Sequence, residues 1–282
     1  MRHGVIVPNF GLLGDPSVLV SLAGDAEAAG WDGFFAWDHL LGDRSWRTTI
    51  ADTPTALAAI AATTNRIRFG PMVAALPRRR PWLVARETAS LDLLSGGRLI
   101  LGVGLGWPTD PDFAAVGDEE DLRRRAEMLD ESLAILEGCW SGEPFAFEGR
   151  HYRLAEATWL PRPVQRPRIP VWCAALRPFR EGPLRRAARW DGIFPATDEY
   201  DFVSAPELAE VAARVAAVRA PGAGPFDLVI QGMTGGLDPA ADEAVVAPYR
   251  EAGATWWLEL LTEWQGDLDA IRGRVRRGPP RG

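Results

Sequence analysis

Short apolar runs recur along this chain, each separated from the next by a stretch of helical character. They fall at Gly4–Asn9, Gly33–Asp38, Ile67–Ala74, Leu99–Leu105, Pro170–Ala175, Gly192–Ala196, Asp227–Gln231 and Thr255–Leu260. Most are apolar at consecutive rather than alternate positions, as in strands covered on both faces of a parallel sheet. The segments between them carry helix punctuation. Asp15-Pro16 opens a first helix that Gly30 closes, Thr53-Pro54 opens a second, and Pro81 opens a third that ends at Ser95-Gly96-Gly97. Asp118–Glu137 reads as a long helix with an acidic start and an arginine-rich middle, suited to a solvated outer face. Eight strands alternating with helices predict an α/β fold, a (β/α)8 TIM barrel, with residues 1–282 as a single domain.

The spacing breaks once. Between Cys139 and Arg168 several prolines stand among Trp140, Phe145, Phe147, Tyr152 and Trp159. Such a length exceeds an ordinary connection, so the pattern predicts an insertion of roughly 30 residues between strands 4 and 5. A hairpin about Phe147–Tyr152 is expected within it, beside the barrel mouth, where it either shapes a pocket or covers an edge.

Composition narrows the chemistry. Hydrophobic residues make up 47% of the chain, which places it among globular proteins. All 31 of its lysine and arginine positions are arginine, and without a lysine amine Schiff-base chemistry is excluded. The three histidines, His3, His39 and His151, show no zinc-type spacing with cysteine or acidic partners, so no metal site is expected. A net charge of −7 without a basic stripe argues against nucleic acid. No apolar run approaches the roughly 20 residues needed to cross a membrane, and no secretory leader opens the chain, so a cytoplasmic location is expected. Cys139 and Cys173 read as core thiols, and Arg272–Arg281 as a solvated, frayed end.

In a barrel, chemistry sits at the C-terminal ends of the strands. That rule collects Asn9 and Phe10, Asp38 and His39, Met72 and Val73, Gly104 to Trp107, Ala174 to Leu176, Ala196 and Thr197, Gln231 to Met233, and Glu259. His39 is the histidine among them. It is either an acid–base group beside Asp38 or a strand-end residue that hydrogen-bonds a loop. Trp37, Trp46 and Trp107 fall on the rim and would wall a planar ligand. Gly102, Gly104 and Gly106 either let a cofactor approach the backbone or relieve crowding; their run ends at the mouth, which favours the cofactor. The first strand leads into Pro8-Asn9-Phe10-Gly11, so the dinucleotide-binding glycine fingerprint is absent there.

Taken in order, several segments resemble the bacterial luciferase-like monooxygenase family over almost the whole chain. They are Ala28-Ala29-Gly30-Trp31-Asp32-Gly33, Trp37-Asp38-His39-Leu40, Ala61 to Gly70, Ala85-Arg86-Glu87, Ser95-Gly96-Gly97-Arg98-Leu99 with Gly102-Val103-Gly104, Arg168 to Trp172, and Ala187 to Gly192. The resemblance implies reduced FMN, or the deazaflavin coenzyme F-420, held at the mouth. It makes His39 the active-site histidine, and Met72-Val73 a bulge in the third strand, often with a non-prolyl cis peptide, behind the ring system. Ala174-Ala175 becomes the small-residue loop at the cofactor phosphate, with Ala196 and Thr197 nearby. Asn9, Gly104 and Trp107 join them as cofactor contacts by their strand-end positions. The chain departs from its relatives in three places. Many relatives carry a glycine pair at Ala174-Ala175. Trp107 stands where the deazaflavin-dependent sugar-phosphate dehydrogenases have an acid. A strand-four arginine is missing, which leaves Arg177 or Arg180 to face the phosphate.

The function this resemblance implies is a monooxygenase or oxidoreductase that uses reduced FMN, from a separate flavin reductase, and oxygen on a small-molecule substrate. His39, oriented by Asp38, would move a proton while the tryptophans exclude water. The alternatives are F-420-dependent hydride transfer and a non-catalytic flavin-binding protein. The family's habit of dimerising makes a homodimer the expected assembly.

Overall fold

The computed structural model describes residues 1–41, 48–107, 111–197 and 201–280. Its strands are β1 (Arg2–Val7), β2 (Gly33–Ala36), β3 (Arg68–Pro71), β4 (Ala74–Ala75), β5 (Leu101–Gly104), β6 (Pro144–Glu148), β7 (Arg153–Thr158), β8 (Val171–Leu176), β9 (Gly192–Ala196), β10 (Asp227–Gly232) and β11 (Trp256–Leu260). Nine of them form one parallel sheet in the order β3-β2-β1-β11-β10-β9-β8-β5-β4. β3 and β4 are two halves of a single stave, interrupted at Met72-Val73, whose peptide is cis. The ring closes where Phe69 bridges to Leu99 and Ala74 pairs with Val103. Closure brings backbones so near that a Cβ on Gly70 would collide with the Ile100 carbonyl oxygen. With β3 and β4 counted as one, eight staves alternate with helices. This is the TIM barrel expected from the apolar runs.

The helices begin and end where capping chemistry dictates. α1 (Pro16–Ala29) starts at Asp15, whose carboxylate accepts the Ser17 N–H at 2.8 Å, and ends at Gly30 with φ +88°. α2 (Thr53–Thr63) is capped by Asp52, and α3 (Pro81–Ser95) closes on Gly96 at φ +66°. After the short α4 (Pro111–Ala114), α5 spans Leu122–Ser141. It starts four residues later than the charge pattern suggested. Asp121 takes the capping role, accepting the Arg124 N–H at 2.9 Å, and this leaves Asp118 to Glu120 outside the helix. α6 (Glu181–Ala188), α7 (Ala205–Val218), α8 (Pro239–Glu251) and α9 (Leu268–Arg276) complete the outer layer. Among the described residues, no helix is long and apolar enough to cross a membrane.

Alternate residues of each strand feed two separate cores. Along β8, Val171, Cys173 and Ala175 face the helices, whereas Trp172 and Ala174 belong to the barrel interior. That interior is plugged by Phe35, Trp172 and Trp256, with ring centroids 5.2–5.9 Å apart. Such tilted and edge-on contacts add to the area that the rings bury. The plug makes the barrel a packed body rather than a pore. Cys139 and Cys173 are buried free thiols, and burial pushes them up to about 11 and about 12.

β6 and β7 pair antiparallel as a hairpin. It lies along the outside of α5. The Glu131 carboxylate accepts the N–H groups of Arg150, His151 and Tyr152 at 2.7–3.0 Å, and Tyr152 meets Trp82 of α3 edge-on. These contacts make it a cover for the outer helices.

The arginine-rich end differs from expectation. Residues up to Pro280 are described, and α9 runs through them. Arg274 is buried against Glu259 at 3.2 Å, and Arg272 and Arg276 pair with Asp25 of α1. Ile271 and Val275, one helical turn apart and both buried, gave that segment an apolar face to dock, so it packs.

Candidate active site

β2 ends at Ala36, and the chain beyond it carries Trp37, Asp38 and His39 onto the mouth. Asn9, at the end of β1, fixes that stretch. Its side chain is fully enclosed, donates to the carbonyls of His39 (2.9 Å) and Ala51 (2.8 Å), and accepts the His39 N–H at 3.1 Å. The amide expected to touch a cofactor is therefore spent on holding the histidine backbone. His39 itself keeps 29% of its side chain exposed. It sits in a cluster with Phe10 and Trp37, whose ring centroids lie 5.5 and 5.9 Å away.

The carboxylate that orients His39 is not Asp38. Asp38 turns toward Arg79, which it holds through both oxygens at 2.8 and 2.9 Å, and toward Arg78. Nδ1 of His39 instead faces Asp112 of α4 at 3.5 Å. Asp112 is buried and also accepts the N–H groups of Leu40 (2.7 Å) and Leu41 (2.5 Å) and Nη1 of Arg78 (2.9 Å). Burial alone would raise its pKa. The bonds from His39, Leu40 and Leu41 and the Arg78 charge outweigh burial and hold the carboxyl far below the usual range. Arg78, itself buried, bridges the two acids by also donating to the Asp38 carbonyl. The result is an unbroken chain His39–Asp112–Arg78–Asp38–Arg79. Asp38 and His39, adjacent in an extended segment, thus turn to different partners.

The far side of the mouth is built differently. Val73, Ala174, Ala196, Phe202 and Met233 pack on top of the lumen plug and remain partly open. Met72 lies deeper in the same cluster. Ala175 faces the helices, so only one residue of the expected alanine pair reaches the mouth. Thr197 is buried, and its hydroxyl donates to the Asp201 carbonyl at 3.0 Å. The glycines relieve crowding, one of the two readings open from sequence. A Cβ on Gly104 would lie 2.8 Å from Val73 Cγ2, and on Gly102 or Gly106 it would strike the Pro71 carbonyl or the Phe113 ring. Trp107 stands on the rim, 39% exposed. Trp46 lies outside the described residues. Glu259 points outward, buried under Arg274 and Thr234, where burial raises its pKa.

Two arginines were candidates for a phosphate. Arg177 is committed to Asp201 at 2.7 Å and to Glu207 at 3.0 Å, bonds that raise its pKa above the usual range. Arg180 is exposed at the start of α6, a helix without a side-chain cap, and has no ion-pair partner among the described residues. The residues that sequence reasoning missed are Asp112 and Arg78. The Arg78-Arg79-Arg80 triplet directly after a barrel strand was the available signal, because three adjacent cations near a strand end ask for acidic partners.

A family profile described as luciferase-like monooxygenase matches residues 1–272. An uncharacterised protein of Mycobacterium tuberculosis is 34% identical over 181 residues, 63% of this chain and 58% of that protein. The coenzyme F-420-dependent glucose-6-phosphate dehydrogenase of Amycolatopsis mediterranei is 35% identical over 165 residues, 57% of this chain and 48% of the enzyme. The aligned part thus spans about half the length of these relatives. Among solved structures, an F-420-dependent secondary alcohol dehydrogenase superposes with a TM-score of 0.78 at 15% identity, covering 99% of this chain and 98% of that one. The oxygenating constituent of 3,6-diketocamphane monooxygenase from Pseudomonas putida, a type II Baeyer-Villiger enzyme solved with FMN, does so at 0.72 and 16%, covering 98% and 96%.

Proposed function

The chain belongs to the luciferase-like monooxygenase family, and from that premise we propose that it is an oxidoreductase holding a flavin or deazaflavin over the floor of its barrel mouth. The observation that carries this reading is the placement of His39, pinned by Asn9 and Asp112 at the edge of a floor of small and apolar residues. The residues present fit such a group. Val73, Ala174 and Ala196 leave room for a flat ring above the plug, while Arg180 and the uncapped N-terminus of α6 suit a phosphate.

When bound there, the cofactor supplies hydride or electron transfer. The protein does the rest. With Nδ1 turned to Asp112, Nε2 of His39 is the atom left to take or give a proton. Asp112 stabilises the imidazolium if the proton is taken, and Phe10 and Trp37 shield the ring from water.

Of the two cofactors the deazaflavin comes first, because curated relatives of stated activity carry F-420 in their names. Trp107, standing where the resemblance places an acid in the sugar-phosphate enzymes, argues against carrying their substrate over as well. Reduced FMN with oxygen and a separate reductase is the second reading, supported by an FMN-bound monooxygenase of the same fold. The experiment is a fluorescence titration with F-420, FMN and reduced FMN. Saturable binding of one of them is expected, and binding of none sinks the reading.

A further inference from the structure

The inner face of the mouth is hydrocarbon at Val73, Ala174, Ala196 and Met233. Gln231 interrupts it. This residue stands in register with Leu258 of β11, two positions after the inward-facing Val229, so its side chain shares the interior face. It is half-buried, and its amide makes no hydrogen bond among the described residues. A ligand that covers this amide without bonding it would leave a polar group dehydrated and unpaired, so a bound molecule is selected for one matching donor or acceptor.

Apart from Arg180, which the reading above gives to the cofactor phosphate, the arginines nearby are already spent. Arg78 and Arg79 are held by Asp38 and Asp112, and Arg177 by Asp201 and Glu207. An anionic group arriving beside them meets guanidiniums whose charge is balanced, together with the carboxylates that balance it.

We propose that the mouth selects a neutral, largely apolar organic substrate bearing one carbonyl or hydroxyl oxygen, that Gln231 hydrogen-bonds that oxygen, and that phosphorylated and carboxylate compounds are refused. The inference rests on the flavin-type reading above and names the substrate class of the same site. Gln231 is then a specificity-determining residue, and with the cofactor covering the floor the aromatic rim of Phe10, Trp37 and Trp107 supplies the remaining affinity.

The test uses the full chain loaded with whichever cofactor it binds, with cofactor affinity measured first by fluorescence. Calorimetry then compares cyclohexanone with cyclohexanecarboxylate, which share a ring and differ in charge, and with glucose 6-phosphate. Cyclohexanone is expected to bind at least about tenfold more tightly than either anion. Gln231→Leu should weaken cyclohexanone about tenfold, and Gln231→Asn less, while cofactor affinity stays within about twofold. Equal or tighter binding of an anion overturns the proposal. So does a Gln231→Leu variant that loses cofactor affinity by the same factor, because the amide then belongs to the cofactor. Either result leaves the family-level reading standing, whereas failure of every cofactor to bind overturns both together.

Discussion

On the β2 side of the mouth, Asn9, Asp38, Arg78 and Asp112 spend their amides and charges on one another and on loop backbone. On the β8 to β10 side, Ala174, Ala196 and Met233 present hydrocarbon, and Gln231 and Arg180 have no side-chain partner among the described residues. The first arrangement leaves little for a ligand to claim, and it fixes one imidazole in place. In the second, Gln231 and Arg180 have no partner among the described residues to lose, so a bound molecule can satisfy them. Positioning and recognition are thus divided between two walls, and substitutions on each should fail in different ways.

The largest effect is expected at the residue that the fixed wall holds. His39→Ala should lower turnover by about 10²–10⁴-fold, with the urea midpoint and cofactor affinity nearly unchanged. A variant that keeps wild-type turnover would end the proton-transfer role.

Asp112→Ala should come next, and as a stability defect. It removes one of the two acids that balance the buried Arg78 and frees two loop N–H groups, at a cost of about 3 kcal/mol in denaturant unfolding. The pH dependence has a definite sign. The folded state holds the Asp112 carboxyl below its unfolded value, so its contribution is complete above about pH 4 and is lost as pH falls toward the depressed folded value. Asp112→Asn should therefore differ most from wild type near neutrality, and the gap should close in acid. A gap that stays constant with pH would show that the charge is not what matters.

A smaller loss is expected at Asn9. Asn9→Ala removes three hydrogen bonds to the His39 and Ala51 backbone, costing about 1–3 kcal/mol and lowering turnover through a misplaced ring. The smallest effect belongs to the open wall. Arg180→Ala should weaken cofactor binding by about tenfold or less and leave thermal unfolding where it was, a result read by parallel titration and melting. If Arg180→Ala destabilised the fold, the division between the walls would blur.

How legible this was in the sequence follows the same division. The barrel was readable because eight runs buried on both faces leave a local mark that needs no knowledge of partners. That property also hid the site. In Val171 to Ala175 every residue is apolar, so nothing local tells Ala174, which looks into the barrel, from Ala175, which looks away. His39 was found because a lone histidine at a strand end is conspicuous. Its partner was not, because Asp112 lies 72 residues beyond Leu40, whose N–H it accepts, in the four-residue α4, too short to leave a periodicity. Asp38 looked like the partner by adjacency, but adjacency in an extended segment turns side chains apart.

The seam between β1 and β11, reinforced by Arg276 of α9 reaching Asp25 across 251 residues, also sets a timetable for synthesis. β2 can join β1 early, but β11 leaves the ribosome only after most of the barrel has been made. At about 5–20 residues per second, the outer edge of β1 waits on the order of 10–50 s for its second neighbour. Throughout that interval the growing barrel is an open sheet with an unprotected apolar edge, and its safest companion is a chaperone.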